Sequence, residues 1–143
     1  MPVAKVLLVD DEKEFTETLS ERLQLRDLEV YTAPSGSEAI DLAGQHRFDA
    51  VILDLRMPGM DGIETLKHLL ANDADLQVIV LTGHATISKS VEALKAGAAE
   101  FFEKPIDIQT LSEKIGDAAQ HRLTLLQERS ARAIEDVLKK KGW

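Results

Sequence analysis

Along residues 1–121, short β-branched or apolar runs alternate with longer stretches whose apolar positions recur every three or four residues. The runs fall at 5–9, 28–32, 50–53, 77–81 and 99–102. Ala50-Val51-Ile52-Leu53 and Val78-Ile79-Val80-Leu81 are apolar without a break. That is the pattern of strands covered on both faces rather than strands with one wet side. Helices are predicted near 13–25, 36–45, 62–71, 86–96 and 107–120. Phe15, Leu19 and Leu23 stand four apart and give the first helix a single apolar stripe. Ser35 and Thr86 are placed to cap helix N-termini and Gly97 to close a C-terminus, while Pro58-Gly59 and Asp61-Gly62 turn the chain.

Five strand–helix repeats predict an α/β fold, a doubly wound five-stranded parallel sheet with helices on both faces. In such sheets ligands bind in the crevice beyond the carboxyl ends of the strands. Four of the five ends carry polar or ionisable groups: Asp10 and Asp11 after the first run, Asp54 after the third, Thr82 after the fourth and Lys104 after the fifth. The second ends only in Thr32 and Ala33.

Three carboxylates in one crevice repel one another, so the site needs a compensating cation or raised carboxyl pKa values. An all-oxygen donor set suits a hard ion, Mg²⁺ rather than zinc. Lys104 adds a point positive charge and Thr82 a hydroxyl donor. Together these are the parts that neutralise the oxygens of a phosphoryl group in transfer, and a carboxylate can itself be the nucleophile.

Composition narrows the picture. The chain has 143 residues and no cysteine, which excludes disulfide scaffolds, thiolate metal sites and thiol catalysis. A hydrophobic fraction of 44 % and a charged fraction of 29 % are those of an ordinary globular domain. No apolar run approaches the ~20 residues that span a bilayer, and the stretch from Val6 to Val9 is too short for a signal peptide. No membrane partner is expected, and a cytoplasmic location is. The net charge is −8, while the tail from Arg122 onward is +3, with six basic and three acidic residues. An acidic body opposes direct nucleic-acid binding. His46, His68, His84 and His121 share no metal-ligand spacing and read as surface residues, with only His84 near the crevice.

The strings Val9-Asp10-Asp11-Glu12, Asp54-Leu55-Arg56-Met57-Pro58-Gly59-Met60-Asp61-Gly62, Leu81-Thr82-Gly83-His84 and Phe101-Phe102-Glu103-Lys104-Pro105 occur in this order. In these motifs the chain resembles the CheY-like receiver domain of bacterial two-component response regulators over about residues 3–121. The resemblance implies a strand order of 2-1-3-4-5. It implies that Asp54 accepts a phosphoryl group from a phosphohistidine on a sensor histidine kinase or phosphotransfer protein. Asp10, Asp11, Asp54 and the backbone carbonyl of Arg56 would hold Mg²⁺. Thr82 and Lys104 would bind phosphoryl oxygens, with Thr82 and Phe101 as the switch pair that re-sets a surface for a downstream protein target. Pro105 would follow Lys104 through a cis bond. Arg56 and His84 stand at positions that vary in the family and tune dephosphorylation. Phe101 departs from the commoner Tyr and has no hydroxyl to donate. Beyond its own phosphorylation and dephosphorylation no enzymatic activity is implied.

Two other readings of the residues fit less well. Phosphatases with an aspartate nucleophile use Asp-x-Asp at the end of strand 1, whereas Asp10 and Asp11 are adjacent and the candidate nucleophile is on the third strand. A flavin or nucleotide carrier wants a glycine-rich loop after strand 1, and Asp10-Asp11-Glu12 is none.

The sequence thus divides into a receiver at 1–121 and a helical C-terminal extension at 122–143. In the extension Leu123, Leu126, Ala133, Ile134, Val137 and Leu138 recur at three- and four-residue steps, interrupted at Ser130. With Thr82-Gly83-His84-Ala85, this continuation resembles NtrC-like regulators, in which a helical linker leads to an ATPase. The chain is expected either to stand alone or to be cut from a longer regulator. A symmetric homodimer through helix 5 and the tail is expected, because the stripe has no sheet left to cover.

Overall fold

The computed structural model describes residues 4–57 and 59–142. Pro58, half of one expected turn, and Trp143, the last residue of the extension, lie outside the described residues. The elements are β1 (Ala4–Val9), α1 (Lys13–Gln24), β2 (Leu28–Ala33), α2 (Gly36–Gln45), β3 (Ala50–Leu53), α3 (Gly62–Asn72), β4 (Gln77–Thr82), α4 (Ile87–Lys95), β5 (Glu100–Glu103) and α5 (Ile108–Lys140). All five strands pair in parallel, in the order β2-β1-β3-β4-β5. The expected fold and strand order are therefore those observed.

The unbroken apolar runs have a direct structural reason. Successive strand side chains point to opposite faces, and both faces are covered. Leu7, Val9, Val51, Leu53, Val78 and Val80 enter the core under α2, α3 and α4. Val6, Leu8, Ala50, Ile52, Ile79 and Leu81 enter the second core, under α1 and α5. Each helix supplies its own stripe: Leu19 and Leu23 from α1, Leu66 and Leu69 from α3, and Leu111 and Ile115 from α5.

The caps hold where the residue types place them. Ser35 Oγ accepts from the Glu38 N–H at 3.2 Å and Thr86 Oγ1 from the Lys89 N–H at 3.1 Å. Gly97 follows α4 with a φ of +109°, a left-handed helix stop that favours glycine. Gly62 is required for another reason. A Cβ there would stand 2.3 Å from Leu55 Cα, so only glycine lets α3 start tight against the segment that follows Asp54. Helix α5 runs without interruption past residue 121 to Lys140, so the expected boundary at 121 is no break in the backbone.

Candidate functional site

The strand ladders continue one residue beyond the strands and hold the backbone of the site. The Asp10 N–H donates to Ala33 O at 3.1 Å, Asp54 N–H to Val9 O at 2.9 Å and Lys104 N–H to Thr82 O at 2.9 Å. Asp10, Asp54, Thr82 and Lys104 are thereby fixed side by side at the carboxyl edge of β1, β3, β4 and β5. Asp10 is 6 % exposed, Asp54 4 % and Thr82 0 %.

Lys104 is the centre of the cluster. Its Nζ donates to Asp10 Oδ2 at 2.6 Å, and lies 3.4 Å from both Asp54 Oδ2 and Glu12 Oε1. The same ammonium sits 4.1 Å from the centre of the Phe15 ring, a cation–π contact that favours the charged form. The Lys104–Pro105 bond is cis, as expected. Each aspartate is also steered by the chain just after it: Asp10 Oδ1 accepts from the Glu12 N–H at 2.9 Å, and Asp54 Oδ1 from the Arg56 N–H at 3.1 Å.

The electrostatics are those of a site short of positive charge. Burial pushes the Asp10 carboxyl above its usual range, further than the Lys104 and Glu12 hydrogen bonds pull it down, and the neighbouring Asp54 charge adds to the rise. Burial alone would lower the Lys104 ammonium. The Asp10 hydrogen bond and the charges of Asp10, Asp54 and Glu12 outweigh it and hold Lys104 above its usual value. Both shifts have one sense: a crevice with three carboxylates and one ammonium binds protons more readily than its parts would alone. Carboxylate oxygens of Asp10, Glu12 and Asp54 all lie within 4.8 Å of one another. An all-oxygen set with an uncompensated negative charge fits a hard divalent cation.

Of the expected site residues, Asp10, Asp54 and Lys104 meet directly. Thr82 ends β4 beside them, its Oγ1 accepting from the His84 N–H at 3.3 Å. The Arg56 peptide is held against Asp54, while its guanidinium leaves the crevice and bridges to the His84 ring, with Nη1 3.0 Å from Nδ1. Asp11 is exposed and stands outside the group of three carboxylates, beside a groove edged by Lys13, Thr16 and Thr32. Phe101 is half-buried against the α2–α3–α4 core.

Sequence reasoning missed two members of the cluster. Glu12 continues the acidic run Asp10-Asp11 and its local signal is that of a solvated helix start. Phe15 belongs to the apolar stripe of α1, and nothing local distinguishes a ring under an ammonium from a ring in the core. His46 also departs from a surface reading: it is half-buried, stacks 4.5 Å from the Tyr31 ring and lies 3.1 Å from Lys5 Nζ.

A five-stranded parallel sheet bearing carboxylates, a hydroxyl and a half-buried ammonium at its carboxyl edge defines a class, the α/β proteins that handle a phosphate or metal at the strand ends. Residues 6–116 match the family model of the response regulator receiver domain. The chain belongs to that family and is a receiver domain of two-component signalling. It is 36 % identical over 129 residues to the C4-dicarboxylate transport transcriptional regulatory protein DctD of Pseudomonas aeruginosa, covering 90 % of this chain and 28 % of that protein. It is 35 % identical over 121 residues to sporulation initiation phosphotransferase F of Bacillus subtilis, covering 85 % of this chain and 94 % of that protein. The solution structure of the beryllofluoride-activated NtrC4 receiver domain dimer is similar at a TM-score of 0.78 and 35 % identity, over 82 % of this chain and 98 % of that one. The chain spans between about a quarter and a half of the length of the larger regulators it matches.

Proposed function

We propose that Asp54 accepts a phosphoryl group from a phosphohistidine of a sensor histidine kinase or phosphotransfer protein, and that the modified site re-sets a surface for a downstream protein. The observation that supports this reading is Lys104, whose single ammonium is held between Asp10 and Asp54 at 2.6 and 3.4 Å. A carboxylate oxygen of Asp54 attacks phosphorus. The new P–O bond forms as the P–N bond breaks, and the imidazole leaves with the bonding pair. Lys104, already beside Asp54, neutralises one phosphoryl oxygen, and the Thr82 hydroxyl donates to another.

Asp10, Asp11, Asp54 and the Arg56 carbonyl are the proposed holders of Mg²⁺, which supplies charge neutralisation at the phosphoryl oxygens. Glu12, within reach of Asp10 and Asp54, joins them as an outer carboxylate. Thr82, drawn toward the phosphoryl group, makes room for Phe101 to turn inward, which biases a two-state element rather than creating a new one. The chain turns over only its own phosphoryl group.

A cytoplasmic setting is proposed, and among the described residues no helix is long and apolar enough to cross a membrane. The proposed partner of the extension is a second copy. Ile134, Val137 and Leu138 are 62 %, 53 % and 43 % exposed on it, and the similar NtrC4 receiver structure is that of a dimer. Treatment with acetyl phosphate and Mg²⁺, followed by intact-protein mass measurement, tests the reading. A gain of one phosphoryl group is expected, and an unchanged mass overturns it.

A further inference from the structure

The family match ends at residue 116, yet α5 continues to Lys140, nearly seven turns at about 3.6 residues per turn, and its first part is not free. Arg122 is 4 % exposed. Its guanidinium makes a two-pronged pair with Asp73, Nη1 to Oδ1 at 3.1 Å and Nη2 to Oδ2 at 2.9 Å. Seven residues on, Arg129 makes a second: Nε to Asp75 Oδ2 at 3.0 Å and Nη2 to Asp75 Oδ1 at 2.8 Å. Seven residues are about two helical turns, so both arginines lie on one side of the helix, in line with the buried Leu111, Ile115 and Ala118. Between them, Leu126 closes one wall of a cavity of about 580 Å³ against Phe48, Leu69 and Leu76. The Arg129 side chain is 66 % exposed while its partner Asp75 is 10 % exposed, and from Gln127 onward every described residue is exposed.

The acceptor side is equally well braced. Asp73 and Asp75 stand on the loop between α3 and β4. The Asp75 N–H donates to Asp73 Oδ1 at 3.3 Å, and the buried Gln77 side chain donates to Asp75 O at 3.0 Å. Fork-to-fork pairs between guanidinium and carboxylate are directional as well as strong.

We propose that Asp73 and Asp75 form a docking cleat for Arg122 and Arg129, which makes residues 122–129 part of the receiver's folded unit and turns the rest of α5 into an arm of set direction. Without the cleat the helix beyond residue 121 would keep only the half-buried Leu125 and Leu126 as tertiary support. Most helical stability in proteins comes from tertiary packing, so the fraying point would fall back toward the domain edge. The cleat also decides which side of the arm stays open. Leu123 lies nine residues after Lys114, two and a half turns at about 3.6 residues per turn. It is therefore on the side of the helix opposite the Lys114–Glu100 pair with β5. Ile134 lies within about 20° of Leu123 on the same projection. The open apolar edge of the arm thus faces away from β5.

The chain has no cysteine, so nitroxide labels can be placed at will. Labels at Glu38→Cys and Glu135→Cys, in protein diluted with unlabelled chain, read the arm within one molecule and are independent of pairing. The parent is expected to give one narrow distance. Arg129→Gln and the Asp73→Asn/Asp75→Asn pair are expected to broaden it, and Arg129→Lys, which keeps the charge but loses the fork, to fall between. Amide hydrogen exchange supplies a second reading: residues 122–129 should be protected in the parent and exchange at least tenfold faster in Arg129→Gln, with the sheet amides unchanged. An equally narrow distance in the Asp73→Asn/Asp75→Asn chain, or exchange at 122–129 in the parent as fast as in that chain, overturns the proposal.

Discussion

Lys104 Nζ lies 2.6 Å from Asp10 Oδ2, and no other contact spans the crevice between β1 and β5 so closely among the described residues. Its removal leaves Asp10 and Asp54 buried and uncompensated. Lys104→Met is therefore expected to cost on the order of 3 kcal/mol of stability without metal, as for breaking other buried pairs. Because the folded protein holds the Lys104 proton above its ordinary value, this stabilisation is fully present below pH ~10.4, the unfolded lysine value, and is lost as pH rises through the folded one. The parent-minus-variant difference in urea unfolding should be flat from pH 6 to 9 and shrink above pH ~10.4. A difference near zero at pH 7 contradicts this.

Mg²⁺ should stabilise the fold by binding the native crevice. At a hundred times its dissociation constant a ligand contributes about 2.7 kcal/mol, on the order of 10 °C in Tm for a domain of this size. Asp11→Ala should remove most of that rise. Glu12→Gln should remove less, since the Glu12 side chain is 64 % exposed. Thermal melts at fixed pH with and without millimolar Mg²⁺ check both. An unchanged Tm in the parent defeats the metal reading.

Switching should follow the Thr82–Phe101 path. On addition of beryllofluoride, amide shifts in NMR spectra are expected to concentrate in residues 82–110. Thr82→Ala should keep binding but reduce the shifts around Phe101 several-fold. Changes confined to residues 20–50 would contradict the path.

Assembly is testable without disturbing the cleat. A chain ending at Ser130 keeps Arg122 and Arg129 and loses Ile134, Val137 and Leu138. Sedimentation at tens of micromolar should show a dimer for the full chain and a monomer for the shortened one. Two monomers, with and without beryllofluoride, end the homodimer reading.

The parts of the molecule legible in the sequence are those with local signals. Val51 and Leu53 enter one core and Ala50 and Ile52 the other, which is why the run lacks alternation and why it could be read as a central strand. Asp10, Asp54 and Lys104 were legible because strand ends in a parallel sheet converge on one edge. Arg122 and Arg129 were not. Their partners lie 49 and 54 residues away, so in the sequence Arg122 counts only toward the positive charge of the tail, when it is a buried anchor. Asp11 and Glu12 mark the limit from the other side: adjacent acids after a strand announce a site, but which of them turns inward depends on the first turn of α1.

The central claim is that Asp54 is the phosphoryl acceptor of a crevice completed by Lys104. The most direct measurement is site-resolved: acetyl phosphate labelling in Mg²⁺, then proteolysis and tandem mass spectrometry, on the parent and on Asp54→Asn. The account predicts one base-labile, hydroxylamine-sensitive phosphoryl group, as an acyl phosphate must be, on the peptide holding Asp54, and none anywhere in Asp54→Asn, which keeps the shape of the side chain but not the nucleophile. Undiminished labelling of Asp54→Asn, or a phosphoryl group mapped to Asp10 or Asp11 in the parent, would contradict it.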